Sequence, residues 1–308
     1  MDTRSVKQPL SVGGVLFSIL NYTILITFTL LCVYPFYYMI INTISANDIS
    51  AGGNIMFLPR QLHLSNYRQV LSLPNFTRSA FVSLSRTVIG TSLTVLASAF
   101  AGFLFTKDMW GRKFWYRFVI ASMYFQAGLI PVFLTIVRLG LMNNFLVYVI
   151  PSMMQPFNII LVKTFIESTP SSLQESAEID GAGTMRIFFQ IVLPLIKPIL
   201  ATIAIFAAVG QWNSFMDTVL YITDERLHTL QFTLHRYISQ AELIARMMQQ
   251  AQAAGGAGAS AAIRAATQQT PASVRMTVTV VVTLPILFVY PFFQKYFVKG
   301  IMMGAVKG

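Results

Sequence analysis

The sequence predicts an all-α membrane protein with six transmembrane helices. Composition points there first. Of its 308 residues, 55% are hydrophobic and only 11% charged, against about 25% charged in a soluble domain. The spacing of charge is more direct. No charged residue lies between Lys7 and Asp48, Arg86 and Lys107, Arg117 and Arg138, Arg138 and Lys163, Lys197 and Asp217, or Arg275 and Lys295. Each gap is about 20 residues or longer, enough for a helix to cross roughly 30 Å of hydrocarbon. The third observation is the sidedness of lysine. With the N-terminus in the cytoplasm, all eight lysines (Lys7, Lys107, Lys113, Lys163, Lys197, Lys295, Lys299 and Lys307) are cytoplasmic, as the positive-inside rule requires.

The expected organisation is a cytoplasmic N-terminus over 1–14, a transmembrane domain over 15–293 and a cytoplasmic tail over 294–308. The first span, Val15–Ile41, is too long for a cleaved signal segment and lacks a small-residue cleavage site. The external segment 42–79 follows, where Leu64–Leu71 reads as a short helix capped by Ser65 or Asn66 and lying on the membrane surface as a lid or docking element. The second span is Phe81–Phe105, with Arg86 near its outer end and expected to snorkel to the interface. A basic cytoplasmic loop precedes the third span, Phe118–Ile136. The fourth, Phe145–Phe165, contains Pro151 and Pro156 on either side of Gln155. A cytoplasmic loop over 167–194 leads to the fifth span, Ile196–Phe215. The long external loop 213–274 balances four acidic against four basic residues, so it is no electrostatic funnel. Within it Ala241–Gln250 reads as an exposed helix. The Ala/Gly run that follows from Ala251 reads equally as a loose linker or as a mobile finger. The sixth span, Met276–Phe293, is interrupted by Pro285 and Pro291, which remove helical hydrogen bonds.

Several chemistries are excluded. The single cysteine, Cys32, allows no disulfide within the chain. His63, His228 and His235 lie in external loops without a paired spacing, so no zinc or other metal site is expected. No Gly-rich phosphate loop of the G-x-x-x-x-G-K-[ST] type exists, and no catalytic constellation either. The net charge of +11 reads as membrane sidedness with scattered external arginines, not as a nucleic-acid surface. Polar residues at membrane depth are the default functional candidates: Gln126, Gln155, Asn158, Gln211 and Asn213. Each is suited to hydrogen-bonding a hydroxylated solute on a translocation path, and each is equally suited to joining helices. An ion-coupled secondary transporter needs buried acidic or basic residues at midplane, and no Asp or Glu lies inside a predicted span.

The most informative segment is cytoplasmic. Thr169-Pro170 suits a helix start, and Ser171…Gln174 and Ser172…Glu175 have capping-box spacing. Leu173, Ala177 and Ile179 form an apolar side. Gly181 suits a left-handed helix end, and a second helix is expected from Thr184 to Pro194. Glu175, Ala177, Gly181, Ile191, Leu193 and Pro194 fall in the register E-A-A, three residues, Gly, nine residues, Ile-x-Leu-Pro, with Ser176 replacing the central Ala. This resembles the EAA motif of ABC-importer permeases. The ending from Tyr290 to Gly308 and the pair Trp212-Asn213 resemble the smaller permease of carbohydrate importers, in the branch for complex oligosaccharides such as alginate and pectin-derived sugars. The resemblance implies a type I importer permease fold, with a coupling helix whose contacts with an ATPase subunit involve Glu175, Ser176, Ala177, Asp180, Gly181, Ala182, Ile191, Leu193 and Pro194. It implies a second homologous permease, two ATPase subunits that hold ATP and Mg, and an external solute-binding protein. No cofactor is expected on this chain, and the cytoplasmic (inner) membrane of a bacterium is its expected location.

Overall fold

The computed structural model describes residues 12–125, 127–253 and 272–287. All regular structure among them is helical. These residues form two compact units, one from 12–70 with 241–253 and 272–281 and one from 71–240 with 282–287.

In the first unit α1 (Val12–Thr43) is a single 32-residue helix. It is apolar on every side, and Leu16, Phe17, Leu20, Phe28 and Leu31 are all exposed. A helix with no polar stripe suits lipid or protein on all faces, not water. After it the chain folds into a small polar knot. Asn42 donates to the Tyr38 carbonyl at 2.9 Å and accepts from Ser50 Oγ at 2.8 Å. The Asn66 amide donates to the Thr43 carbonyl at 3.0 Å, and Thr43 Oγ1 meets Tyr67 Oη at 2.7 Å. These bonds fix α2 (Asn47–Ala51) and α3 (Ser65–Leu71), the latter matching the expected short helix.

The second unit is built on α4 (Phe76–Leu104), 29 residues long. Two of the other expected spans are not continuous. The region 118–136 divides into α5 (Arg112–Ser122) and α6 (Leu129–Arg138). Gly128 takes φ +78 at the break, and Pro131 in the first turn of α6 clashes with a helix continued backwards. The region 145–165 begins with a 3₁₀ turn, Phe145–Tyr148, and becomes helical only at α7 (Pro156–Glu167). Pro156 drives Gln155 to an extended φ of −105° and ψ of 116°, as the residue before a proline prefers.

Next come α8 (Ser172–Ile179), α9 (Thr184–Leu195) and α10 (Lys197–Asn213). Helices α9 and α10 meet at an angle of 79°. Phe188–Val192 inside α9 has π-helical spacing. Pro198 lacks the N–H that would carry α9 straight on, so α10 restarts with proline in its first turn. The long external segment expected after residue 213 holds α11 (Met216–Tyr221), a 3₁₀ turn at Glu225–Leu227 and α12 (Leu230–Ala253). The exposed helix expected over Ala241–Gln250 is the second half of α12. The Ala/Gly run lies outside the described residues from 254 onwards. So do the final residues of the sixth span, of which α13 (Ala272–Leu287) is the described part. Among the described residues α1 and α4 are long and apolar enough to cross a membrane alone, and the α9–α10 pair as a bent span.

Helix α4 packs chiefly on α10 and α7, and glycines set how closely. A Cβ at Gly102 would lie 2.7 Å from Val162 Cγ1 and 3.1 Å from the Ile159 carbonyl oxygen. One core gathers Ala99, Phe103, Val162, Ile166, Ile187, Phe188 and Ile196 near the α8 end. A second gathers Val82, Ile136, Val147, Tyr148 and Tyr221 at the other end of α4.

Candidate functional site

The coupling segment is held by a helix ending that its sequence dictates. Gly181 has φ +79. Its N–H bonds the Glu178 carbonyl at 3.0 Å, and the Ala182 N–H bonds the Ala177 carbonyl at 2.9 Å. That pair of bonds is the Schellman ending, which needs a left-handed residue at the position of Gly181. The motif then divides by face. Ala177, Ala182 and Leu193 pack on the first core, while Glu175, Ser176, Asp180, Gly181 and Pro194 are exposed, with Ile191 half-buried.

Ala177 does pack on the first core, as its place on the apolar side implies, while Ser176 faces outward. Some expectations fail here. Ile179 is 87% exposed and is not part of a buried apolar side. Neither capping box forms at the start of α8: Ser171 makes no side-chain cap, and Pro170 precedes the helix rather than opening it. Instead Lys107, just beyond α4, donates to Glu178 Oε1 at 2.6 Å and ties α8 to the long helix. A cleft of about 610 Å³ lies between them, lined by Lys107, Asp108, Glu167, Gln174, Glu175 and Thr184 among others.

A second site lies along α4, α7 and α10. Gln155, Asn158 and Gln211 share a cleft of about 410 Å³ with Arg86, Thr94, Ser152, Gly210 and Asp217. Three of the five polar candidates are thus brought together. Asn213 is not among them; its Oδ1 accepts from Gln231 Nε2 at 3.2 Å. Gln126 lies outside the described residues. Gln155 reaches the cleft because Pro156 breaks the helix there, leaving its side chain exposed with one long bond of 3.4 Å to the Ser152 carbonyl.

Arg86 overturns its expectation. It does not snorkel: it is 2% exposed. Its guanidinium donates to Gln211 Oε1 at 3.0 Å, the Ser214 carbonyl at 3.2 Å and Asp217 Oδ2 at 2.6 Å. It also sits 4.4 Å from the centre of the Tyr148 ring. Gln211 completes the clamp by donating to Ser152 Oγ at 2.7 Å and the Tyr148 carbonyl at 3.3 Å. Gly90 makes room, since a Cβ there would lie 2.7 Å from Gln211 Nε2. A buried charge needs a partner and several hydrogen bonds, and Arg86 has both. Sequence reasoning missed Asp217 because it stands two residues beyond the predicted fifth span. A signal did exist: one lone base and one lone acid border charge-free gaps at the same membrane end.

Comparison with known proteins places these features. Residues 94–303 match the model of the family described as binding-protein-dependent transport system inner membrane component. The polygalacturonan/rhamnogalacturonan transport system permease protein YtcP of Bacillus subtilis (strain 168) is 36% identical over 95% of this chain and 99% of its own. Protein LplC of the same organism is 35% identical over 96% of each. A chain in the crystal structure of a bacterial ABC transporter involved in the import of the acidic polysaccharide alginate superposes with a TM-score of 0.79. It is 28% identical and is covered completely by 94% of this chain. The Gly181 ending, the inward Ala177, Ala182 and Leu193 and the bent α9–α10 pair all fall inside the matched region, and the chain belongs to this family of inner-membrane components of binding-protein-dependent transport systems.

Proposed function

We propose that this chain is one of two permeases in an ATP-driven importer of hydroxyl-rich, acidic oligosaccharides of the pectin or alginate type. The observation that carries the reading is the cleft uniting Gln155, Asn158 and Gln211. The exposed Gln155 amide offers donors and an acceptor to sugar hydroxyls, Asn158 lines the cleft as a buried side chain, and Gln211 is committed to Arg86. The imported class follows the relatives, one a permease for polygalacturonan and rhamnogalacturonan, another from an alginate importer.

In this reading Glu175, Ser176 and Asp180 face an ATPase subunit in the cytoplasm. Two such subunits hold ATP and Mg and hydrolyse the nucleotide. A second permease completes the channel, and an external binding protein delivers the sugar. Closure of the ATPases moves α8. The Lys107–Glu178 pair and the core around Phe188 carry that movement to α4 and α10, which border the cleft. Alternating access then arises from rigid-body rocking. Ion coupling is disfavoured because the one acid at the cleft, Asp217, is neutralised by Arg86.

The test is uptake of an oligogalacturonide into proteoliposomes holding the whole complex. Uptake should require ATP and withstand a protonophore. Uptake driven by an ion gradient without ATP would sink the reading.

A further inference from the structure

A third cavity, about 260 Å³, opens at the start of α4, between the turn at Leu73–Pro74, the 3₁₀ turn at Glu225 and the first half of α12. Its distance from α8 is the length of α4, about 40 Å at 1.5 Å per residue. It is therefore separate from the coupling segment, and it shares no residue with the membrane cleft.

Its lining carries polar groups that the fold does not use. The side chains of Asn75, Glu225, His228 and Arg236 make no hydrogen bond or ion pair with another described residue. His228 is the informative one, being only 8% exposed. Its ring stands edge-on to Phe232, 4.6 Å between ring centres, and its nitrogens are not among the sealed, partnerless atoms of the described residues, so they open to the cavity they line. Asn75 holds φ +61 at the head of α4 yet does not cap that helix. Among the described residues the Arg236 guanidinium has no ion pair and lies 5.8 Å from the centre of the Phe232 ring. Two hydroxyls, Ser79 and Thr233, bond each other at 3.0 Å beneath them, and the Tyr237 ring forms part of the wall.

We infer that this cavity is a second, outer subsite for one carboxylated sugar unit, Arg236 receiving the carboxylate and Asn75, Glu225 and His228 the ring hydroxyls. Burial, and then Arg236, hold the His228 pKa below its ordinary value against Glu225 and Asp224, so at pH 7 its ring is neutral and both donates and accepts. The volume lies just under the usual range of about 300–1,000 Å³ for small-molecule clefts, which suits a single ring rather than a chain. An arginine without an ion pair is matched to a carboxylate by its planar fork of donors. The inference rests on the importer reading, since that reading places this end of α4 outside the membrane.

The experiment uses the complete transporter in lipid nanodiscs, without ATP or binding protein. A uronic-acid disaccharide and its neutral counterpart are the probes, read by saturation-transfer NMR. Arg236 is exposed, so Arg236→Gln leaves the fold intact. It should weaken uronate binding about tenfold, the scale of one charge-assisted bond, and leave the neutral sugar unaffected. His228→Gln should weaken both. Equal uronate affinity in wild type and Arg236→Gln overturns the inference, as does binding that appears only when the external protein is present. ATP-driven uptake with no Arg236 effect sinks this subsite alone. Absence of ATP-driven uptake of any sugar sinks the importer reading itself.

Discussion

Arg86 and Asp217 are coupled unequally, and the inequality is testable. The Arg86 side chain is 2% exposed and that of Asp217 34%. Asp217→Ala strands a guanidinium in the interior, and breaking a buried pair costs about 3–5 kcal/mol. The remaining bonds to Gln211 and Ser214 put the expected loss near the lower end. Arg86→Met strands a carboxylate that water still reaches, and should cost less. Thermal unfolding of the two variants in detergent checks the order; a greater loss in Arg86→Met contradicts the burial argument. His228 gives a pH dependence. Its folded pKa is lowered, so the unfolded chain binds the proton first as pH falls. Its contribution to stability is complete above the unfolded pKa of about 6.5 and is lost as pH drops below it. His228→Gln should flatten the melting temperature between pH 7 and 5 relative to wild type. The same residues show what the sequence revealed. Gly181 was legible because its left-handed turn is a local demand. The Arg86–Asp217 pair was not, since the partners stand 131 residues apart and no short-range pattern joins them.

At the scale of elements, the apolar length of α1 and α4 was readable from charge gaps alone. The gaps over 118–136 and 145–165 hid broken helices, because hydropathy records apolar length while Gly128, Pro131 and Pro156 decide where helix stops. The break at Pro156 is what turns Gln155 into the cleft, so the misread element and the candidate site have one cause. The contact between α4 and α7 offers a direct test. A side chain at Gly102 must displace Val162 and approach the Ile159 backbone, whereas a Cβ at Gly181 meets nothing within 4 Å. Gly102→Val should therefore cost about 1–3 kcal/mol through overpacking. Gly181→Val should cost about 1–2 kcal/mol through the left-handed backbone alone. Asparagine distinguishes the two causes, as it tolerates the left-handed region. Gly181→Asn should recover most of the stability in a thermal melt, and Gly102→Asn should not. Recovery at both sites, or at neither, would contradict the division into a steric and a conformational glycine.

At the scale of the whole molecule, the proposed importer places its two working ends on opposite sides of a membrane. The coupling end is exposed at Thr184 and the opposite end at Thr223. With the exposed Cys32 replaced by serine, a cysteine at Thr223 should react with an impermeant thiol reagent added to intact cells, and one at Thr184 should not. The reverse pattern inverts the orientation argued from lysine. Given that orientation, Glu175 decides how the ends communicate. It is exposed in the first turn of α8, and its carboxylate makes no bond to another described residue, so removing it should cost the permease fold about 1 kcal/mol or less, the scale of a helix-dipole interaction. A larger loss in Glu175→Ala is expected to come from a contact with a partner. A charge-assisted bond to an ATPase subunit would be worth about 1.5–3 kcal/mol, or roughly 10- to 150-fold in affinity at about 1.4 kcal/mol per tenfold. The expected result is reduced co-purification of the ATPase and slower oligogalacturonide uptake, with unchanged thiol labelling and an unchanged melting curve for the permease alone. Wild-type retention of the ATPase together with wild-type uptake would make the exposed face of α8 an ordinary elbow. The inward packing of Ala177, Ala182 and Leu193 would then account for the whole motif as a folding device.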